Sequence, residues 1–374
     1  LFNQLYINNI RNIEQQTLAP FKQINLLYGA NGSGKTSVLE AIHMVALARS
    51  FRQNIVRPVV KRGQQSLTVH AQFHSSDGIT RNVGIQRSLK GEPLIRIDGE
   101  TVRTVSQLAG IFPVLVMDAN IFSLLDGSSK VRRQFLDWGV FHVEHSFFDA
   151  WRAYQRCLKQ RNSLLRQGSG INNAQLAIWN EELSRYAVTI DNCRERYFNE
   201  FVLVFNQVLA RLTECTDIQL EYRRGWDSQI DLSNVLTTTV ERDTQLGYTQ
   251  YGPHRADIKI RHQGVEASSL LSRGQQKIVA AALKIAQGLH YKQSKSHHCI
   301  YLLDDLPAEI DSNHRQAVCD LFVEQGAQVF ITCIDKASIV GCFDKAKDLQ
   351  VFHVEQGSVK PEPSEEGICG DSND

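Results

Sequence analysis

Ile24-Asn25-Leu26-Leu27-Tyr28 leads into Gly29-Ala30-Asn31-Gly32-Ser33-Gly34-Lys35-Thr36, after which Val38, Leu39, Ile42, Val45 and Ala46 recur at helical spacing. The order is strand, glycine loop, amphipathic helix. The loop fits G-x-x-x-x-G-K-[ST] and stands where that pattern has physical meaning. Glycines let backbone N–H groups turn inward around phosphate oxygens, and the helix N-terminus adds its partial positive charge. Lys35 is expected to reach the β- and γ-phosphates of ATP, and the Thr36 hydroxyl to help hold Mg²⁺. Gly29, Ala30, Asn31, Gly32, Ser33, Gly34, Lys35 and Thr36 are thus the candidate ATP-binding residues.

Such a cradle needs a second, metal-orienting acid, normally at the end of a buried strand. Cys299-Ile300-Tyr301-Leu302-Leu303 followed by Asp304-Asp305 supplies one. Asp304 is expected to join Thr36 at Mg²⁺, as the Walker-B carboxylate does. Asp305 is then placed to orient or deprotonate the attacking water, and with Lys35 makes the catalytic pair. Paired aspartates are also ordinary solvated turn residues; the glycine loop upstream tips the reading. Leu271-Ser272-Arg273-Gly274-Gln275 precedes an apolar helix expected over 274–288. A serine and free N–H groups at a helix start suit an anion. The same residues serve equally as a serine N-cap before a core helix.

Composition bounds the rest. Of 374 residues 42% are hydrophobic and 22% charged, which excludes a disordered chain. The length suggests two to three domains at roughly 150 residues each. With 41 Lys+Arg against 40 Asp+Glu there is no global positive field, so a nucleic-acid contact requires a local basic patch. The 8 cysteines form no C-x-x-C pair and no zinc spacing, and read as free thiols in a reducing compartment. The start, LFNQLYINNIRN, lacks a signal peptide's charged and apolar regions, and no long apolar run suits a membrane span. A soluble, cytoplasmic protein with no membrane partner is expected.

Leu5–Ile13 reads as a strand, as do 67–73, 82–87, 94–97 and 113–117, so the first third is sheet-rich. From Phe147 the period changes. Phe147, Trp151, Tyr154, Leu158 and Leu165 share a helical face; RQGSGINN (166–173) breaks it. Leu176, Trp179, Leu183, Tyr186, Ile190, Cys193, Tyr197, Phe201, Val204 and Val208 then form a second stripe, about 50 Å long. Two such helices about a polar turn make an antiparallel hairpin. The expected division is a head over 1–130, a helical hairpin arm or lid over 131–250, the rest of the head over 251–360, and a disordered tail over 361–374.

Taken in order, the glycine loop, the L-S-x-G-Q-like segment and the Asp-Asp strand resemble the ABC-type ATPase heads of the SMC-like group, and within it the RecF family. Further landmarks are Ile10-Arg11-Asn12-Ile13, Arg132-Arg133-x-Phe135-Leu136-Asp137-Trp138, LKQRNSLL (158–165), Gly252-Pro253-His254-Arg255-Ala256-Asp257 and LLDDLPAEID (302–311). The resemblance implies an α/β ABC-type head, a P-loop fold of mixed sheets flanked by helices, with an inserted helical domain. It also implies an ATP-dependent homodimer on double-stranded, gapped or junction DNA, slow DNA-stimulated hydrolysis, and recombinase loading with RecO and RecR. By motif position it implies that Arg11 approaches phosphate, that Ser272, Arg273, Gly274 and Gln275 act across the dimer, and that Asp311 lies in the D-loop. Met117-Asp118-Ala119-Asn120 departs from the family's Pro-Glu-Asp-like turn. Ala308 replaces a D-loop serine, and Thr332-Cys333-Ile334 offers no switch histidine.

Between Arg49 and Arg62, RSFRQNIVRPVVKR carries Arg49, Arg52, Arg57, Lys61 and Arg62 with no acid. This is the candidate DNA contact. Lys159, Arg161 and Arg166 on the hairpin are a second candidate. A long-armed SMC head would need far more heptads, and a transporter ATPase would carry a switch histidine. The rival reading is an ATP-binding scaffold with negligible turnover, because Asp305 is shorter than the usual glutamate.

Overall fold

A computed structural model of the chain describes residues 2–53, 55–74, 79–102, 104–170, 172–343 and 348–363. Most of the expected tail, from 364 on, and Cys369 with it, lies outside those residues. The chain forms two compact units, one from Leu1–Asn120 with Ser296–Asp374 and the other from Ile121–Lys295.

In the first unit a six-stranded sheet runs in the order Ser358–Pro361, Leu349–Glu355, Ile24–Tyr28, Gln328–Cys333, Ile300–Leu303, Val114–Met117. Its last five strands are parallel. Gln328–Cys333 and Ile300–Leu303 are buried along their whole length, which is why Ile300–Leu303 reads as an unbroken apolar run, while Gln328–Cys333 buries Gln328 and Thr332 among its apolar residues. A second six-stranded sheet is antiparallel throughout, and along Ser66–His74 the inward side chains Leu67, Val69, Ala71 and Phe73 alternate with outward ones. The helix Lys35–Leu47 buries all of its side chains but Thr36 and Leu47. It shares one apolar core with both sheets: Leu5, Ile7 and Val69 on one side, Leu27, Phe330 and Phe352 on the other.

Leu5–Ile13 is not one strand. Phe2–Ile10 and Ile13–Leu18 pair as a tight hairpin with Ile10 opposite Ile13, and Arg11 takes the turn at φ 53°. Periodicity alone did not reveal the reversal, because the turn holds no glycine. Helices Val105–Ile111, Ser129–Val143 and Ser312–Gln325 were not anticipated, being short or mixed in pattern.

The second unit holds the helical hairpin, Phe147–Leu165 and Asn173–Leu212. The longer helix spans 40 residues, about 60 Å, and Asn172 caps it by accepting the Gln175 N–H at 3.1 Å. The expected bounds of 131–250 are too narrow. Asp257–His262 pairs antiparallel with Ile218–Arg223, and Gln287 of the helix Arg273–Lys295 donates to the Phe135 carbonyl at 2.7 Å. The signature helix therefore packs with the hairpin unit.

Two landmark segments, 132–138 and 252–257, meet in a largely buried polar seam here. Arg132 grips Asp257 through Nε (2.8 Å) and Nη2 (3.0 Å), and Arg133 donates to the Ala256 carbonyl at 2.7 Å. Arg194 pairs with Asp137 and donates to the Pro253 carbonyl. His254 Nε2 faces the Thr249 carbonyl at 3.0 Å, so Nδ1 accepts from the Tyr154 hydroxyl at 2.6 Å. Burial pulls the His254 pKa down to about 4, with Arg255 and Arg133 adding to the fall and the Thr249 bond and Asp243 opposing it. The folded chain thus favours neutral His254: its contribution is complete above the unfolded value near 6.5 and is lost as pH falls toward 4, about 3 kcal/mol in all. Urea unfolding of the full chain at pH 7.5 and 4.5 should show this loss, and His254→Gln should flatten the difference. An equal acid sensitivity in the variant would place the effect elsewhere.

Among the described residues no helix is long and apolar enough to cross a membrane.

Candidate active site

Sheet order builds the site. The glycine loop leaves the C-terminal end of Ile24–Tyr28, Asp304 leaves that of Ile300–Leu303, and Gln328–Cys333 lies between them. Gly29 takes φ +153°, and a Cβ there would lie 2.1 Å from the Val354 carbonyl oxygen. Only glycine fits so close to the neighbouring strand. Gly34 caps the following helix at φ 119°.

The Thr36 hydroxyl donates to Asp304 Oδ1 at 2.8 Å, across 268 residues of sequence. Thr332 completes the arrangement from the intervening strand, its hydroxyl donating to the same Asp304 oxygen at 2.8 Å and accepting the Asp305 N–H at 2.8 Å. Asp305 itself sits at φ 54°, a conformation aspartate tolerates better than most residues. Lys35 is buried and its ammonium donates to the carbonyls of Gly29 (2.8 Å) and Ala30 (3.0 Å). Burial pulls the Lys35 pKa down, and Asp305, Cys333 and Asp304 push it back up.

Gly34, Lys35, Thr36, Asp304, Asp305 and Thr332 line a cavity of about 500 Å³, whose walls also include Asn31, Gly32, Arg11, Asn12, Glu40 and Arg52. Two features fit a nucleotide. Ser33 Oγ is buried in the loop and bonds to no described group. The first turn of Lys35–Leu47 adds backbone N–H groups that the helix itself does not use. Asp304 and Thr36 are the oxygen donors a Mg²⁺ ion takes beside phosphate.

Sequence reasoning missed three residues here. Asn12 Nδ2 donates to the carbonyls of Gly32 (3.2 Å) and Ser33 (2.9 Å), bracing the glycine loop from the hairpin turn. Glu40, 1% exposed, accepts two bonds from Arg11 at 2.9 and 2.8 Å and one from Ser50. Thr332 is the third. Nothing local marks any of them, since each acts through a strand or turn far away in sequence. Arg11 does reach the cavity wall, yet its guanidinium is committed to Glu40 and, at 2.7 Å, to the Pro58 carbonyl. Neutralising a buried carboxylate is therefore its visible task.

The other candidates scatter. Ser272 and Gln275 cap each other reciprocally, Ser272 N–H to Gln275 Oε1 at 2.9 Å and Gln275 N–H to Ser272 Oγ at 3.3 Å. Arg273 lies over the Phe122 ring, and Gly274 is open at its Cα. Asp311 caps Ser312–Gln325 and binds His314 Nδ1 at 2.7 Å. Ala119 lines the nucleotide cavity, while the Asp118 carboxylate accepts from Asn120. In the basic run, Arg49, Arg52, Arg57 and Arg62 are exposed; Arg52 also lines the nucleotide cavity, and Lys61 pairs with Glu14 at 2.9 Å. Of the hairpin cations, Arg161 is fully buried and leaves that candidate group.

The family model described as the RecF/RecN/SMC N terminal domain matches residues 1–360. The DNA replication and repair protein RecF of Pseudomonas putida strain KT2440 is 46% identical over 356 residues, covering 95% of this chain and 97% of that protein. A solved structure of the recombination mediator protein RecF-ATP in the RecFOR pathway is similar with a TM-score of 0.84 at 24% identity, over 97% of each chain. An Smc head bound to the C-winged helix domain of ScpA reaches 0.58 at 16% identity, over 96% of this chain and 97% of that one. At such identities the two structures speak to fold alone: an ABC-type ATPase head.

Proposed function

Because this chain belongs to the RecF family, within the RecF/RecN/SMC N-terminal domain group, we propose that it is a DNA replication and repair ATPase in which ATP drives two copies together on DNA. The observation that carries the reading is the 2.8 Å bond between Thr36 and Asp304, which joins the glycine loop to the acidic strand end in one site. Gly29–Thr36 bind the phosphates, with Lys35 countering their charge. Mg²⁺, held by Thr36, Asp304 and the nucleotide, would supply further charge neutralisation to the β- and γ-oxygens. Asp305 orients or deprotonates the attacking water, and Thr332 fixes where Asp305 starts. Ser272, Arg273, Gly274 and Gln275 of a second copy cover the nucleotide, and Asp311 lies in the segment that communicates between the sites. Nucleotide then acts as clamp control through its differential affinity for the open and closed forms, and hydrolysis releases DNA. The expected setting is the cytoplasm, on gapped or junction DNA, with RecO- and RecR-type mediators.

The test is sedimentation of the full chain with and without ATP and Mg²⁺, beside binding to gapped and plain duplex DNA at low salt. ATP-dependent dimers that capture DNA support the clamp. DNA binding that is absent whatever the nucleotide overturns it. Dimers and DNA capture with no measurable turnover favour the scaffold reading, to which the short Asp305 carboxylate also points.

A further inference from the structure

Beyond the nucleotide site the described residues of the stretch 50–62 present an unusual surface. Ile55 is 68% exposed, more than any other large apolar side chain among the described residues. Single exposed apolar residues are common and need no explanation by themselves. The surroundings of this one set it apart. No acidic residue occurs between Glu40 and Asp77, and exposed Arg49, Arg57 and Arg62 share its stretch of chain.

The base of the loop is also stiff. Val59 and Val60 are buried in the core and Val56 packs against it, so the neighbouring apolar side chains are all used inward. Arg11 binds the carbonyls of Val59 (2.8 Å) and Pro58 (2.7 Å), and the Lys61 N–H reaches the Asn9 carbonyl at 2.9 Å. At the other end Ser50 Oγ accepts the N–H groups of Arg52 (2.9 Å) and Gln53 (3.2 Å) while donating to buried Glu40. An apolar side chain is thus held out in water on an anchored stretch whose charged side chains are all cations, of which Lys61 is paired with Glu14.

We infer that Ile55 is a wedge that enters DNA at a base step, with Arg57 and Arg62 neutralising the flanking phosphates. Protein wedges of this kind are apolar, sit among cations and partly unstack the step they enter. A gap edge or a strand junction already lacks one stacking partner, so insertion costs least there. The inference rests on the DNA-clamp reading above and deepens it, because it gives this chain a physical reason to prefer junctions over plain duplex. It commits the surface to DNA over a protein partner on charge: exposed Arg49, Arg57 and Arg62, in the same stretch of chain as an apolar tip, match a phosphate-lined groove.

The experiment uses the full chain with ATP and Mg²⁺ and a gapped duplex carrying 2-aminopurine at the junction. Wild type should brighten the probe as the step unstacks. Ile55→Ser should leave ATP binding unchanged, weaken junction binding about tenfold, as loss of one buried apolar side chain does, and abolish the brightening. Its slope of log affinity against log salt should stay at the wild-type value. Arg57→Ala should lower that slope by about one instead. Ile55→Phe, which keeps an apolar wedge, should retain both affinity and brightening. The inference is overturned if Ile55→Ser binds and brightens like wild type. It is equally overturned if the variant loses ATP-driven dimerisation in sedimentation, which would make the tip a contact between copies. If wild type binds no DNA at all, the clamp reading falls and takes the wedge with it.

Discussion

Asp305→Asn should keep ATP binding and lose hydrolysis by about 10²–10⁴-fold, the range spanned by removal of a positioned general base. The substitution preserves shape, and the Asp305 N–H that Thr332 holds is backbone, so the strand end stays in place. What goes is the carboxylate that shares the cavity with Lys35. ATP-driven dimers and captured DNA should then persist, because nothing releases them. Lys35→Met should do the opposite. It deletes the cation that Gly29 and Ala30 hold at the phosphate cradle, so ATP affinity should fall roughly 100-fold and dimerisation and DNA capture with it. Nucleotide binding, single-turnover hydrolysis and sedimentation on the two variants separate the roles. Wild-type hydrolysis by Asp305→Asn would move the base to another residue, and ATP-dependent dimers of Lys35→Met would remove the glycine loop from the clamp.

The residues in that contrast were visible in the sequence because each belongs to a contiguous pattern whose spacing reflects local geometry. Strand, glycine loop and helix follow one another within 24 residues of chain, Ile24–Leu47. The hairpin was legible for the same reason, since long helices repeat their buried face. Thr332, Asn12 and Glu40 were hidden because their roles depend on sheet order. Thr332 meets Asp304 only because Gln328–Cys333 is threaded between the strands that end in Tyr28 and Leu303. The absence of a histidine near position 332 reads in sequence as a missing group, whereas in the fold the threonine hydroxyl organises both aspartates. The basic run was legible as charge but not as placement: local sequence does not show that Arg52 turns to the nucleotide cavity or that Lys61 meets Glu14. Arg161 failed for a related reason, its position on a helix saying nothing of which element covers it.

Arg161→Leu should destabilise the hairpin unit by about 3–5 kcal/mol, the cost of leaving a buried charge without its partner. Arg161 and Asp243 are both fully buried, 2.7 Å apart. The guanidinium also donates to Asn180 Oδ1 (2.7 Å), Thr249 Oγ1 (2.7 Å) and the Leu236 carbonyl (3.0 Å), drawing three elements onto one planar fork. Burial pulls the Arg161 pKa down, and the bond to Asp243 then its charge raise it again, so the cation depends on that carboxylate. A leucine fills part of the space and satisfies none of the acceptors. Arg161→Lys should recover only a part, since an ammonium lacks the fork. The double variant Arg161→Leu with Asp243→Leu should be more stable than Arg161→Leu alone, because the stranded charge is gone. Urea unfolding of the four full-length chains measures this. A loss for Arg161→Leu below about 1 kcal/mol, the usual size for an exposed pair, would mean that water reaches Asp243 when the arginine is removed.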